Sequence, residues 1–166
     1  MSRLSPRLAL AATGLAAGLA LAVAFAAEWY GGLVPCPLCL IERWPYRIAI
    51  AAAAIGVLLP RGAARAMLAV VLLIGLAEAA AAGLHVGVEL HVWPSPLPEC
   101  AAPHFSGGSI AERLRAMPLR PSKSCEDGVY PVRFLPLSFA DLNLLYALAF
   151  SALSATLLAA TRRRTA

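Results

Sequence analysis

Cys36 and Cys39 enclose Pro37 and Leu38, and Glu42 and Arg43 follow within one turn of Cys39. A CxxC brings two sulfurs close enough to cycle between dithiol and disulfide. Pro37 suits the first turn of a short helix with Cys36 near its N-cap. A thiol there feels the helix dipole, which favours the thiolate. Arg43 is four residues past Cys39, one helical turn on, where a cation can stabilise a thiolate or polarise the oxygen of a bound acceptor. The alternative is that Arg43 pairs with Glu42 or with loop backbone. The stretch lies between two long apolar runs, so the chemistry it suggests is thiol–disulfide redox at or near a membrane surface.

Two other uses of a CxxC have to be weighed. It can be half of a zinc site, but a site of four cysteines usually needs a second close pair. The remaining cysteines, Cys100 and Cys125, are far apart, and no HxxxH accompanies them; no metal is expected. A purely structural disulfide closing so short a loop would add little stability, and such bonds are usually the labile, catalytic kind.

The elements that must position this motif are apolar. Of 166 residues, 60% are hydrophobic and 14% charged, and the mean hydropathy is +0.74. That is membrane composition. Four apolar stretches, about 8–27, 45–59, 66–88 and 139–160, approach the roughly 20 helical residues that cross a bilayer. The second is short and carries Arg47 near its start, which can snorkel to the interface. Alanine and leucine dominate and β-branched residues are few, favouring helices over a barrel. The expected fold is therefore a single all-α domain over 1–166, a bundle of four transmembrane helices. Arg3, Arg7 and Ala24-Phe25-Ala26 resemble parts of a signal peptide. The apolar run is longer than a usual signal core, and Trp29-Tyr30 follows it like an interfacial belt, so an uncleaved span is expected. Gly14 and Gly18 form a small-xxx-small pair that permits close helix packing.

Orientation follows from the arginines. Arg3 and Arg7 precede the first span, Arg61 and Arg65 lie between the second and third, and Arg162, Arg163 and Arg164 close the chain. These ends are cytoplasmic by the positive-inside rule. The first loop, about 28–44, and the long second loop, about 89–138, then share the opposite side and hold all four cysteines. In a bacterial-style cell that side is the oxidising periplasm. The net charge of +5 comes partly from the cytoplasmic arginines, and no aromatics interleave with basic residues, which argues against nucleic acid.

Along the chain, Trp44 and Tyr46 read as interfacial anchors. Glu78 falls near mid-membrane, where an ionisable group is a functional candidate, is protonated, or is satisfied by a neighbouring helix. His85 and His91 lie toward the outer end of the third span, as polar interfacial residues or proton carriers. In the second loop, the prolines from Trp93 to Pro98 predict a stiff, extended approach to an exposed Cys100. Pro103, Gly107 and Gly108 follow. Ser109 and Glu112 form a capping box for a short amphipathic helix, with Ile110, Leu114 and Met117 on one face and Pro118 and Pro121 ending it. That helix would lie on the membrane surface or cover the bundle. Phe134 leads into the last helix, with Asp141 and Asn143 near its outer end.

Four cysteines allow three pairings, and the two-residue gap favours Cys36 with Cys39 and Cys100 with Cys125. Two such pairs on one side of a membrane suggest a relay by thiol–disulfide exchange. No haem-attachment motif, flavin fingerprint or further metal cluster is visible, so a lipid-soluble acceptor such as a quinone is the simplest electron sink.

The chain resembles the disulfide bond formation protein B (DsbB) family of bacterial inner-membrane proteins over nearly its whole length. The features that carry the resemblance are CPLC followed by Glu42-Arg43-Trp44, Trp93-Pro94-Ser95-Pro96 before the third cysteine, and a fourth cysteine ahead of Pro136-Leu137-Ser138 and the last helix. The resemblance implies a multi-pass inner-membrane enzyme that reoxidises a periplasmic thioredoxin-like oxidase, DsbA, and passes electrons to ubiquinone or menaquinone. It implies that Cys100 is attacked by the partner, that Cys125 resolves the mixed disulfide and exchanges with Cys36, and that Cys39 is the thiolate beside the quinone. Arg43 and Glu42 match the quinone-site pair. A histidine before the third cysteine is tied to quinone activation; His85 and His91 straddle its place and both are candidates. Two other readings remain: a vitamin K epoxide reductase-like enzyme, whose CxxC usually comes late in the bundle, and a non-catalytic membrane subunit with structural disulfides.

Overall fold

A computed structural model describes residues 4–100, 109–116, 123–131 and 135–162. Arg3, Arg163 and Arg164, on which the orientation partly rests, lie outside them, as do Pro103, Gly107, Gly108, Met117, Pro118, Pro121 and Phe134. Every regular element among the described residues is helical.

Helix α1 runs Pro6–Trp29. The Ser5 side chain accepts from the Leu8 amide and Pro6 occupies the first turn, so the start is set by a cap and a fixed φ. The chain leaves α1 through Gly31 and Gly32, the latter at φ +63°, a left-handed turn that glycine adopts without cost. Helix α2, Pro37–Ile41, is a single turn capped by the Cys36 sulfur, which accepts from the Cys39 amide at 3.1 Å. Helix α3, Arg43–Leu58, follows directly and stops before Pro60; helix α4 takes Arg61–Glu89. A 3₁₀ turn covers Pro98–Cys100, helix α5 covers Ile110–Ala116 and helix α6 covers Phe139–Arg162. The box at α5 is formed: the Ser109 amide donates to Glu112 Oε2 at 2.8 Å and the Glu112 amide to Ser109 Oγ at 3.3 Å.

The four long helices pack α1 on α3, α3 on α4 and α4 on α6, with α1 also touching α4 and α6. Their shared core includes Leu10, Tyr46, Leu68, Val71 and Phe150 among many alanines. Small residues let the backbones approach. A Cβ on Gly14 would lie 3.1 Å from that of Ala53, so this half of the small-xxx-small pair makes the α1–α3 seam, while Gly18 faces open space. Leucines point outward, Leu15, Leu58 and Leu73 among them, an apolar exterior that suits lipid rather than water. Helices α1, α4 and α6 (to Thr161) are long and apolar enough to cross a membrane. Helix α3 has 16 residues, about 24 Å at 1.5 Å per residue, short of a full hydrocarbon core. Arg47 near its start is exposed, with its guanidinium 5.2 Å from the Trp44 ring centroid.

Two expectations are corrected here. Trp44 is exposed, as an interfacial anchor would be, but Tyr46 is buried at 4% exposure and belongs to the core. It lies edge-on to Tyr146 and Phe150, two residues along the helix and so on the opposite face from Trp44. Cys100 is not presented on an extended, exposed segment. It ends a 3₁₀ turn and is fully buried against Cys36, Leu38 and Val88, because an apolar disulfide and Leu97 gain more from that contact than from water.

Candidate functional site

The CxxC sits at one end of the bundle, where α2 packs against the start of α3 and the 3₁₀ turn that ends at Cys100. Cys36 and Cys39 are free thiols, their sulfurs 2.6 Å apart. The Cys36 thiol is pushed below its ordinary value, chiefly by the hydrogen bond from the Cys39 side chain, with burial opposing and the Cys39 amide assisting. Cys39 is pushed up by the same pairing and by burial. Cys100 and Cys125 form a disulfide with Cα atoms 4.9 Å apart. Backbone ties hold it: the Cys125 amide and Ser124 Oγ both donate to the Cys100 carbonyl, at 3.2 and 2.9 Å. Both cysteines of this bond pack in the same buried cluster as Cys36.

Glu42 and Arg43 turn away from each other. Arg43 swings toward α1, where Nη2 donates to Glu28 Oε1 at 2.7 Å and the guanidinium stands 5.1 Å from the Phe25 ring centroid. The partner of Arg43 is therefore Glu28, not Glu42. Glu42 turns into the bundle. Its Oε1 lies 2.9 Å from His85 Nδ1, and its Oε2 accepts from Asn143 Nδ2 at 3.0 Å. With a carboxylate accepting at Nδ1, that nitrogen carries the ring proton. Nε2 then faces Cys36 Sγ at 3.5 Å. A proton leaving the Cys36 thiol has an acceptor there, and the imidazole has Glu42 behind it.

The polar chain goes deeper. Asn143 Nδ2 also donates to Glu78 Oε1 at 2.9 Å, and Tyr46 OH donates to Asn143 Oδ1 at 3.1 Å. Glu78 is buried at 1% exposure, and its Oε2 has no hydrogen-bond partner among the described residues. A neighbouring helix thus meets one of the two Glu78 oxygens. His91 is elsewhere: it is exposed, at φ +56° in the turn after α4. Of the two histidine candidates, the fold brings only His85 to the cysteines.

Between α1 and α6, below α2, lies an apolar groove of about 340 Å³. Cys39, Glu42, Arg43 and Tyr46 line its polar end, and Leu19, Ala20 and Val23 line its apolar wall. The volume falls within the roughly 300–1,000 Å³ usual for small-molecule pockets, and so does the combination of apolar walls with a few convergent polar groups.

A family model described as Disulfide bond formation protein DsbB matches residues 6–157. The chain belongs to that family. No curated protein and no solved structure matches it. Members of the DsbB family are disulfide-forming membrane oxidoreductases and are quinone-linked in general. Three contributors were not read from the sequence as part of the site. Glu28 had one signal, an acidic residue at the outer edge of an otherwise apolar span. Asn143 was noted only as polar near the outer end of α6. Tyr46 was placed at the interface.

Proposed function

We propose that this DsbB-family member reoxidises a periplasmic DsbA-like dithiol oxidase and passes two electrons to ubiquinone or menaquinone. In this reading it crosses the bacterial inner membrane four times, with α3 as the short fourth span, both chain ends cytoplasmic and the cysteine loops periplasmic. The observation that carries the reading is the groove, because one mouth of it joins a redox thiol, Cys39, to a cation, Arg43, on an apolar path from the lipid side. A quinone bound there supplies an acceptor for two electrons and two protons.

The residues take these roles. Cys100 accepts the partner's thiolate and forms the mixed disulfide, and Cys125 is released to resolve it by exchange with Cys36. Cys100 is fully buried, so docking of the partner has to expose it first. The Cys125 thiolate attacks Cys36 of the closed Cys36–Cys39 disulfide, so the Cys36–Cys125 bond forms as the Cys36–Cys39 bond breaks and Cys39 leaves as a thiolate at the mouth of the groove beside Arg43. His85, backed by Glu42, stands beside Cys36 to exchange a proton with it when the pair is in the dithiol state. Arg43, braced by Glu28, offers N–H donors to an acceptor oxygen.

Arg43→Ala tests the groove assignment. A charge-assisted hydrogen bond is worth about 1.5–3 kcal/mol, so the KM for quinone should rise about 10- to 100-fold while exchange with the reduced partner is unchanged. Unchanged quinone kinetics would remove Arg43 from the site.

A further inference from the structure

Cys36 Sγ, Cys39 Sγ and His85 Nε2 lie within 4.8 Å of one another, and their arrangement has consequences beyond thiol exchange. Both cysteines are free. The Cys36 Sγ to His85 Nε2 separation is 3.5 Å, which is that of two ligands on one tetrahedral zinc, with bonds of about 2.3 Å to sulfur and about 2.0 Å to nitrogen. The Glu42 carboxylate holds Nδ1, so Nε2 turns its lone pair toward the sulfurs. Metal-bound histidines nearly always have such a partner on the other nitrogen. Glu89 Oε1 lies 4.0 Å from Nε2. The one adjustment is between the sulfurs, which stand 2.6 Å apart and must open to about 3.8 Å on a tetrahedral ion. Cys39 is only half-buried and borders the groove, so a side-chain rotation there suffices.

We infer that the reduced CxxC and His85 together form a site for one thiophilic divalent cation of the zinc class, present in the dithiol state and abolished in the disulfide state. Binding converts two thiols to thiolates and releases two protons to solvent, with no change in oxidation state. A disulfide has no thiolate to offer, so oxidation ejects the cation. A bound cation in turn occupies the sulfur lone pairs that thiol–disulfide exchange requires, and so blocks turnover. This deepens the proposed function, since it rests on the CxxC cycling between dithiol and disulfide. The spacing of the cysteines alone argued against zinc because a second close pair was missing; the third ligand instead comes from 49 residues away in sequence.

The test uses the full-length protein in detergent, reduced, freed of reductant without oxygen, and titrated with Cd²⁺. The thiolate-to-cadmium ultraviolet band should saturate at one equivalent at the CxxC and vanish once diamide has closed the disulfides. The double variant Cys100→Ala, Cys125→Ala should keep the band, separating the site from the loop pair. His85→Ala should weaken Cd²⁺ binding by at least about tenfold, and Glu42→Gln, which removes only the support of the ring, by about 10- to 100-fold. Helix content by circular dichroism confirms that each variant is folded, and Glu42→Gln serves if His85→Ala is not. Affinity unchanged in either folded variant would reduce the site to an ordinary dithiol and overturn the inference. So would loss of the band in the loop-pair double variant. No step of the titration needs quinone or partner, so a failed titration leaves the electron-transfer reading intact, and failed turnover leaves this one intact.

Discussion

Cys36–Cys39 and Cys100–Cys125 share one buried cluster, but different forces hold each pair. The loop pair is closed as a disulfide and tied by main chain: its carbonyl and amide groups bond to each other and to Ser124. The CxxC is open and has side chains that carry charge or move protons near it: His85, backed by Glu42, lies 3.5 Å from Cys36, and Arg43, paired with Glu28, lines the same groove as Cys39. A pair gripped by backbone can be opened only by moving its segment. A pair surrounded by titratable groups can change its protonation and redox state in place. In the proposed function, the contrast suits the loop pair to exchange with an outside protein and the CxxC to electron delivery into the membrane.

The sharpest way to break this contrast is at Cys125. If the loop pair meets the partner first, Cys125→Ala leaves the mixed disulfide through Cys100 with no resolving thiol. A covalent complex should accumulate from almost none to most of the protein on a non-reducing gel. Mapping of the trapped cysteine to Cys36 would reverse the order of the relay.

The next effect is on protonation. Cys36 sits below the usual thiol value mainly because the Cys39 side chain donates to it. A lowered pKa keeps the thiolate present to lower pH. Cys39→Ala removes that donor, so the midpoint for alkylation of Cys36, measured with the loop disulfide intact, should move to higher pH. A midpoint that stays put would mean that the neighbouring thiol does not tune Cys36.

The smallest expected effect is at Glu28. Its ion pair with Arg43 is partly exposed, at 19% for the Glu28 side chain, and pairs of that kind contribute about 1 kcal/mol or less. Glu28→Gln should raise the quinone KM only a few-fold and leave reduction of the Cys100–Cys125 bond unaffected. An equal loss at the loop pair would show that the two regions are not separable.

The apolar stretches of the long helices, the CxxC and the α5 capping box were legible because each depends on residues near in sequence, although α4 begins at Arg61, five residues before its apolar run. What was not legible depends on distant partners. Consecutive residues on a helix point about 100° apart. Glu42 and Arg43, adjacent and opposite in sign, therefore part company and find Asn143 and Glu28, 101 and 15 residues away. Tyr46 goes inward for the same reason, two positions on from the outward Trp44. His85 and His91 look alike in sequence, and only the end of α4 separates them, leaving one inside the bundle and the other in the turn beyond it. Burial of Cys100 was missed because prolines report a stiff backbone but not what it packs against.

The central claim is that electrons leave the loop pair through Cys39 to a membrane quinone. It is tested most directly by feeding the purified protein with a reduced DsbA-like oxidase and following quinone reduction in wild type and Cys39→Ser. The account predicts one quinone reduced per partner disulfide formed in the wild type, falling to background in the variant. Quinone reduction that survives in Cys39→Ser, or partner oxidation with no quinone consumed, would contradict it.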